Sequence, residues 1–379
     1  MLPRLALGFA GVITAAIAIS ACSSSDATST ISVGPNFTSQ TLYVTNVTQN
    51  AISIYSPAPT STKGPAYQIG GSSTTLAGPQ YLTFDKSSNL WVTNWLSSAN
   101  TGALVEFKAL ATGNVLPFQD LSLAAVRPRG ISDFQYTPAS TTTAVEYLAV
   151  AVSDPNQPSQ FSSGIQFYSP ALLTGAVETI AGPATGLNVP SGIVVDKNLN
   201  IYVSNLQGAN VTVYAFPTPS PTPVATATPT PTPSPTPTPS GATPSPTPTA
   251  APTATPENIA PLATISGSMG QPVGLALDAS GNVYVADQSS AVCTPRCPAI
   301  LIFPAGSNGA VTPKYIAGSK TLLLAPTDVK VDKSGNIYVA DEASGTGIVY
   351  VYAAGSSGNV APTATLNSPG AAIGLALTP

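Results

Sequence analysis

The chain contains no histidine. That removes the side chain whose ordinary pKa lies nearest neutrality, and the commonest ligand of transition metals. Ser-His-Asp triads, Cys-His nucleophile pairs and His-based zinc sites are therefore excluded. Charge is scarce as well: 7% of residues are Asp, Glu, Lys or Arg, against roughly a quarter in an average soluble domain. Twelve Lys and Arg against sixteen Asp and Glu leave a net charge of −4. The basic residues are scattered, so no stripe offers phosphates a footprint, and nucleic acid is not an expected partner. Ser, Thr, Ala, Gly and Pro fill the gap, a composition that suits a secreted, turn-rich β protein. A length of 379 residues admits one large domain or two ordinary ones.

Long apolar runs are also wanting, with one exception at the start. Arg4 precedes an apolar stretch from Leu5 to Ile19, followed by the small residues Ser20 and Ala21 and then Cys22. The stretch is short for a membrane span, and its flanks suit a signal peptide over residues 1–21. Ile19-Ser20-Ala21-Cys22 resembles the bacterial lipobox, whose cysteine is diacylated and becomes the mature N-terminus. That resemblance implies a stable lipid anchor at Cys22, a flexible tether over 22–40, and a place outside the cytoplasm. Ser23 after the cysteine implies the outer membrane, if the cell has one. The two remaining cysteines lie in Cys293-Thr294-Pro295-Arg296-Cys297. In an oxidising envelope they most simply form a disulfide across a small loop, and two thiols without histidine lack the other ligands of a closed zinc site.

The rest of the chain repeats itself. The clearest unit is Pro272-Val273-Gly274-Leu275-Ala276-Leu277-Asp278, a turn through Gly281-Asn282, then Val283-Tyr284-Val285-Ala286-Asp287. Further copies run from Pro326 to Asp341, Pro190 to Asn205 and Pro79 to Asn94, and a degraded copy starts at Pro128 with an insertion before Tyr147. Third strands follow, such as Ala299-Ile300-Leu301-Ile302-Phe303, and shorter fourth strands, such as Lys314-Tyr315-Ile316-Ala317. Period-two alternation broken by Gly, Asn and Pro is the mark of strands in tight hairpins. Four such strands per unit, at spacings of roughly 50 residues, build a propeller blade. Thr41 to Asn46 reads as a second strand lacking its first, and Ile373 to Leu377 as a first strand lacking its second. Paired, they complete a sixth blade and close the ring, which removes open sheet edges. The expected fold is all-β: a six-bladed β-propeller of four-stranded antiparallel blades over residues 41–379, and a monomer.

The core Pro-x-Gly-hydrophobic-Ala-hydrophobic-Asp-x-x-Gly-Asn-hydrophobic-Tyr-Val-Ala-Asp at 272–287 and 326–341 resembles the NHL family of β-propellers. Tyr43-Val44-Thr45-Asn46 is similar to the related YVTN repeat. The resemblance implies fold, not activity, because propellers host binding, scaffolding and several chemistries. It covers residues 41–379 apart from a tract of Pro, Thr, Ser and Ala at 217–256. Such a tract is extended or disordered, with a contour on the order of 120 Å at ~3.1 Å per residue. Val211 to Tyr214 reads as a third strand and Pro261 to Ile265 as its fourth, so the insertion falls inside one blade. It is a tolerated surface expansion or a glycosylated or wall-embedded spacer.

Asn46, Asn94, Asn205, Asp287 and Asp341 end the second strands and open onto one face. A ring of such oxygens suits calcium or another divalent cation. The competing reading, that they cap backbone amides, is favoured because a structural device recurs in every repeat whereas a site appears once. Exceptions to the pattern are then the informative residues. Asp328 stands where other copies have Gly130, Gly192, Gly274 and Gly374, and Arg127 and Arg129 flank Pro128. With Tyr81 they are the candidate ligand contacts at the channel mouth, or else a buried ion pair. The gluconolactonase and regucalcin group shares a six-bladed propeller with a divalent metal held by Glu, Asn and Asp. Here Glu106, Glu146, Glu178, Glu257 and Glu342 do not start a first strand, and propeller lyases need the histidine that is missing. No catalytic residue is expected. The expected role is an anchored binding module for a protein, peptide or glycan, with a metal-dependent hydrolase or a structural envelope protein as alternatives.

Overall fold

In the computed structural model, the structure describes residues 40–56, 64–96, 101–123, 126–139, 141–153, 163–171, 173, 175–217, 256–342 and 347–379. The expected signal peptide, Cys22 and all but the ends of the Pro/Thr tract lie outside the described residues. Six blades of four antiparallel strands form a β-propeller, and the sheet of blade 4 also takes a short parallel strand, Gly309–Ala310, from blade 5. Blade 1 orders its strands Ala372–Leu377, Leu42–Asn46, Ala51–Tyr55 and Tyr67–Gly70 from the axis outwards. It joins the two ends of the fold: Leu42 pairs with Leu377, Tyr43 with Ala376 and Val44 with Leu375. Blades 2 to 6 begin with the first strands Pro79–Phe84, Arg127–Tyr136, Pro190–Val195, Pro272–Leu277 and Pro326–Val331.

Each first strand bonds within its sheet on one side only, so the proline that opens four of them costs no ladder hydrogen bond. A register shift follows at Pro79, Pro128, Pro190, Pro272 and Pro326. The Asp-x-x-x-Asn turn after it is self-bonded. Asp278 Oδ1 accepts the amides of Ser280 and Asn282, and its Oδ2 accepts Asn282 Nδ2. Asp85, Asp196 and Asp332 do the same. In blade 3 the first hairpin, Arg127–Tyr136 against Val145–Ser153, is lengthened by extra paired residues.

Apolar packing lies between blades rather than within one central core. There is one buried cluster at each of the six interfaces. Strand alternation explains this: Leu42 and Val44 pack against blade 6, while Tyr43 packs against blade 2. The interface of blades 3 and 4 carries the aromatic set Phe134, Tyr147, Phe167, Tyr214 and Phe216.

Two polar devices repeat across interfaces. Near the axis, the residue before the terminal Asn of a second strand donates a hydroxyl to the next blade. Thr45 Oγ1 bonds Gln80 O at 2.7 Å, Thr93 Oγ1 bonds Arg129 O at 2.7 Å, and Ser204 Oγ bonds Val273 O at 2.6 Å. In blade 6 that position is Ala340, and Thr327 Oγ1 bonds Ala372 O at 3.0 Å instead. At the periphery, Ile69, Ile180, Ile265 and Ile316 make parallel bridges to Gly113, Glu257, Gly309 and Gly358 of the following blade. Glu257 thus takes the place of a third-to-fourth-strand loop residue. Asn210–Ala215 pairs with Ala263–Ser266 in one sheet, so the chain leaves and re-enters blade 4 across the Pro/Thr tract.

Candidate functional site

The six first strands place three layers of residues around the axis. Aligned on the repeats, the first layer is Gln80, Arg129, Ser191, Val273, Thr327 and Ile373. The second is Tyr81, Gly130, Gly192, Gly274, Asp328 and Gly374, and the third is Thr83, Ser132, Val194, Ala276, Lys330 and Ala376. In the second layer the strands approach so closely that only glycine fits at four positions. A Cβ on Gly192 would lie 2.6 Å from Val273 O, and one on Gly374 would lie 2.5 Å from Gln80 O.

Tyr81 and Asp328, expected as contacts at the mouth, lie deeper than that and are buried. Their layer is where the blades converge, so both side chains turn into the axis and fill it. The Tyr81 hydroxyl donates to Thr327 O at 3.0 Å. Burial raises the Tyr81 pKa, the neighbouring Asp328 adds to the rise, and Arg129 opposes it. Asp328 pairs with neither arginine. Its two oxygens accept Lys330 Nζ at 3.0 and 2.9 Å and the amides of Val329 and Leu375. Burial pushes the Asp328 carboxyl up, against the pull of Lys330 and those amides. Nothing in the repeat pattern singles out Lys330, although residues two apart on a strand share a face.

Beyond this plug, towards the far ends of the first strands, a cavity of about 270 Å³ opens. Leu82, Ile131, Ile193, Leu275 and Leu377 contribute to its apolar wall, and Lys330 brings a charge to it. Thr83, Ser132, Val194, Ala276 and Ala376 complete the ring with Lys330.

The opposite end holds Arg127 and Arg129. The Arg127 guanidinium lies over the Trp95 ring, 3.4 Å from its centroid, and Arg129 Nη1 donates to Ser191 Oγ at 3.2 Å. Burial lowers the Arg127 pKa to about 10, with the Arg129 charge adding to the fall. Arg129 is lowered by burial too, opposed by Tyr81. Arg127 Nε, Arg129 Nε, Trp95 Nε1 and Asn94 Oδ1 are all buried without a hydrogen-bond partner. The ion pairs among the described residues are Lys108–Glu106 and Lys330–Asp328. The mouth therefore presents donors and positive charge.

The Asn and Asp residues that end the second strands hold their own blades together. Asp287 accepts the amides of Gly270, Gln271 and Ser289, and Asp341 those of Leu324 and Ala325. Asn205 Oδ1 accepts Asn188 N, Asn94 Nδ2 donates to Thr75 O, and Asn46 Nδ2 donates to Ser53 Oγ. They sit on separate blades, and the oxygens of Asp287, Asp341 and Asn205 accept amides of the incoming loop. No cluster of three or more Cys, Asp or Glu placed to hold a metal occurs among the described residues. Cys293 and Cys297 form a disulfide, with Cα atoms 5.6 Å apart. No helix among the described residues is long and apolar enough to cross a membrane.

No family model matches the chain, and no curated protein matches it. Solved structures do. A protein of unknown function from Bacteroides caccae is similar at 12% identity and a TM-score of 0.54, covering 90% of this chain and 99% of that one. Virginiamycin B lyase from Staphylococcus aureus aligns at 10% identity and a TM-score of 0.44, over 84% and 82%. A luciferin-regenerating enzyme aligns at 11% identity and a TM-score of 0.48, over 87% and 92%. At such identities the first of these likenesses shows the fold alone.

Proposed function

We propose that this chain is an NHL-type propeller, exported and tethered to the cell envelope by a lipid on Cys22, that serves as a binding module. Its ligand is a protein, peptide or glycan held at the Arg127–Arg129 mouth. The observation that carries the reading is the contrast between the axis and the mouth. On the axis, Tyr81 and Asp328 are buried and spent on Thr327, Lys330, Val329 and Leu375, so neither is a free base or nucleophile. At the mouth, donors are buried and unused, the state of a surface awaiting acceptors.

The test is direct. Mass spectrometry of the mature N-terminus should find Cys22 acylated, and an unmodified or missing Cys22 would remove the anchor from the proposal. The full chain, probed on peptide and glycan arrays, should capture ligands that an Arg127→Gln/Arg129→Gln variant fails to hold. Capture unchanged in that variant, or metal-dependent turnover of a lactone panel, would contradict the binding role of this mouth.

A further inference from the structure

We propose that the Arg127–Arg129 mouth is a carboxylate site that takes an acidic side chain of a peptide. The inference rests on the binding-module reading above and specifies the chemistry of its ligand.

Three observations lead to it. The first concerns counter-charge. Acidic residues outnumber basic ones in this chain, yet two arginines two residues apart on one strand have no carboxylate in ion-pair reach among the described residues. Like charges held together and partly desolvated repel each other, and an anion between them relieves that.

The second concerns hydrogen bonds. Arg127 Nε, Arg129 Nε and Trp95 Nε1 are each buried and unpartnered, although buried donors are almost always paired. Each arginine Nε–H, with an Nη–H beside it, matches a carboxylate, which accepts at both oxygens and forms forked bonds with arginine. Stacking on Trp95 fixes the plane of the Arg127 fork before a ligand arrives.

The third concerns what a neutral ligand would need. A neutral sugar brings no counter-charge, and it wants an open aromatic face. Tyr81 is buried and Trp95 is capped by Arg127, so neither ring offers one.

The experiment titrates the full chain by calorimetry with acetyl-Gly-Glu-Gly-Glu-Gly-amide and with the same peptide carrying Gln for Glu. Inorganic sulfate and oligogalacturonate are titrated in parallel. The expected result is saturable binding of the Glu peptide, at least ten-fold weaker for the Gln peptide. Arg129→Gln should weaken it at least ten-fold, and Arg127→Lys, which keeps the charge and loses the fork, by several-fold. Should Arg129→Gln melt before the titration temperature, Arg127→Lys and the Gln peptide on the native chain carry the test. Equal binding of both peptides overturns the proposal. So does binding of sulfate or oligogalacturonate without the Glu peptide, and so does the absence of any saturable binding. Capture of neutral ligands on the arrays would then leave the binding module standing without its carboxylate site, whereas empty arrays would remove both.

Discussion

The hydroxyl of Tyr81 donates to the carbonyl of Thr327 at 3.0 Å, a bond between residues 246 apart in sequence. It ties blade 2 to blade 6 across the axis, past blade 1, where the chain's two ends meet. Tyr81→Phe keeps the ring in the interface it shares with Trp91 and Ile131 and removes only the bond. A buried carbonyl deprived of its donor costs about 1–3 kcal/mol. We expect Tyr81→Phe to lower the stability read from urea unfolding by that amount, with an unchanged m-value.

Lys330 opposes the burial that raises the Asp328 pKa inside the plug. Lys330→Met would leave the buried carboxylate with two amides and no cation, and removing one partner of a buried pair costs about 3–5 kcal/mol. The loss depends on pH. Without Lys330 the Asp328 pKa in the folded state rises further above its unfolded value, so stability is retained at low pH and lost as pH climbs. Unfolding measured at pH 5 and pH 8 should show the larger deficit at pH 8. An exposed control, Lys320→Met, should stay within about 0.5 kcal/mol of the parent at both.

Asp133 titrates the same way in the native chain. Burial raises its pKa to about 7, and the charges of Glu146 and Asp85 add to the rise, while Lys86 lowers it. Its Oδ1 is buried without a partner. A folded pKa above the unfolded value means the folded state holds the proton longer. The stability this gives is complete below about pH 4 and is lost as pH rises to about 7. Asp133→Asn removes that dependence: it should raise the melting temperature at pH 8 and leave it nearly unchanged at pH 4.

The blades were legible because the repeat encodes them physically. The Asp of Asp-x-x-x-Asn closes its own turn, and proline marks a strand with one free edge. Residues Leu42 and Leu377, at opposite ends, carry complementary halves of one unit. The site was legible only in part. Arg127 and Arg129 stood out as charges where the repeat is neutral, and they share the mouth. Asp328 stands out because other copies have glycine there, and Tyr81 only as a first-strand residue at the mouth; both fill the axis, because a residue larger than glycine in that layer must go inwards. Trp95 lies one residue past the repeat's terminal Asn, where the pattern ends, so nothing in the spacing joined it to Arg127. No single repeat encodes the cavity near Lys330, because its lining is the ordinary alternation of six first strands and its shape depends on the ring.

Everything here depends on the ring being closed by strand 372–377 against strand 42–46. Native-state hydrogen exchange on the backbone amides of residues 374–377 measures that closure most directly. The account predicts protection equal to that of Ile337–Asp341 in blade 6, with exchange only through global unfolding. Exchange of residues 374–377 at the rate of a frayed terminus, while blade 6 stays protected, would contradict it.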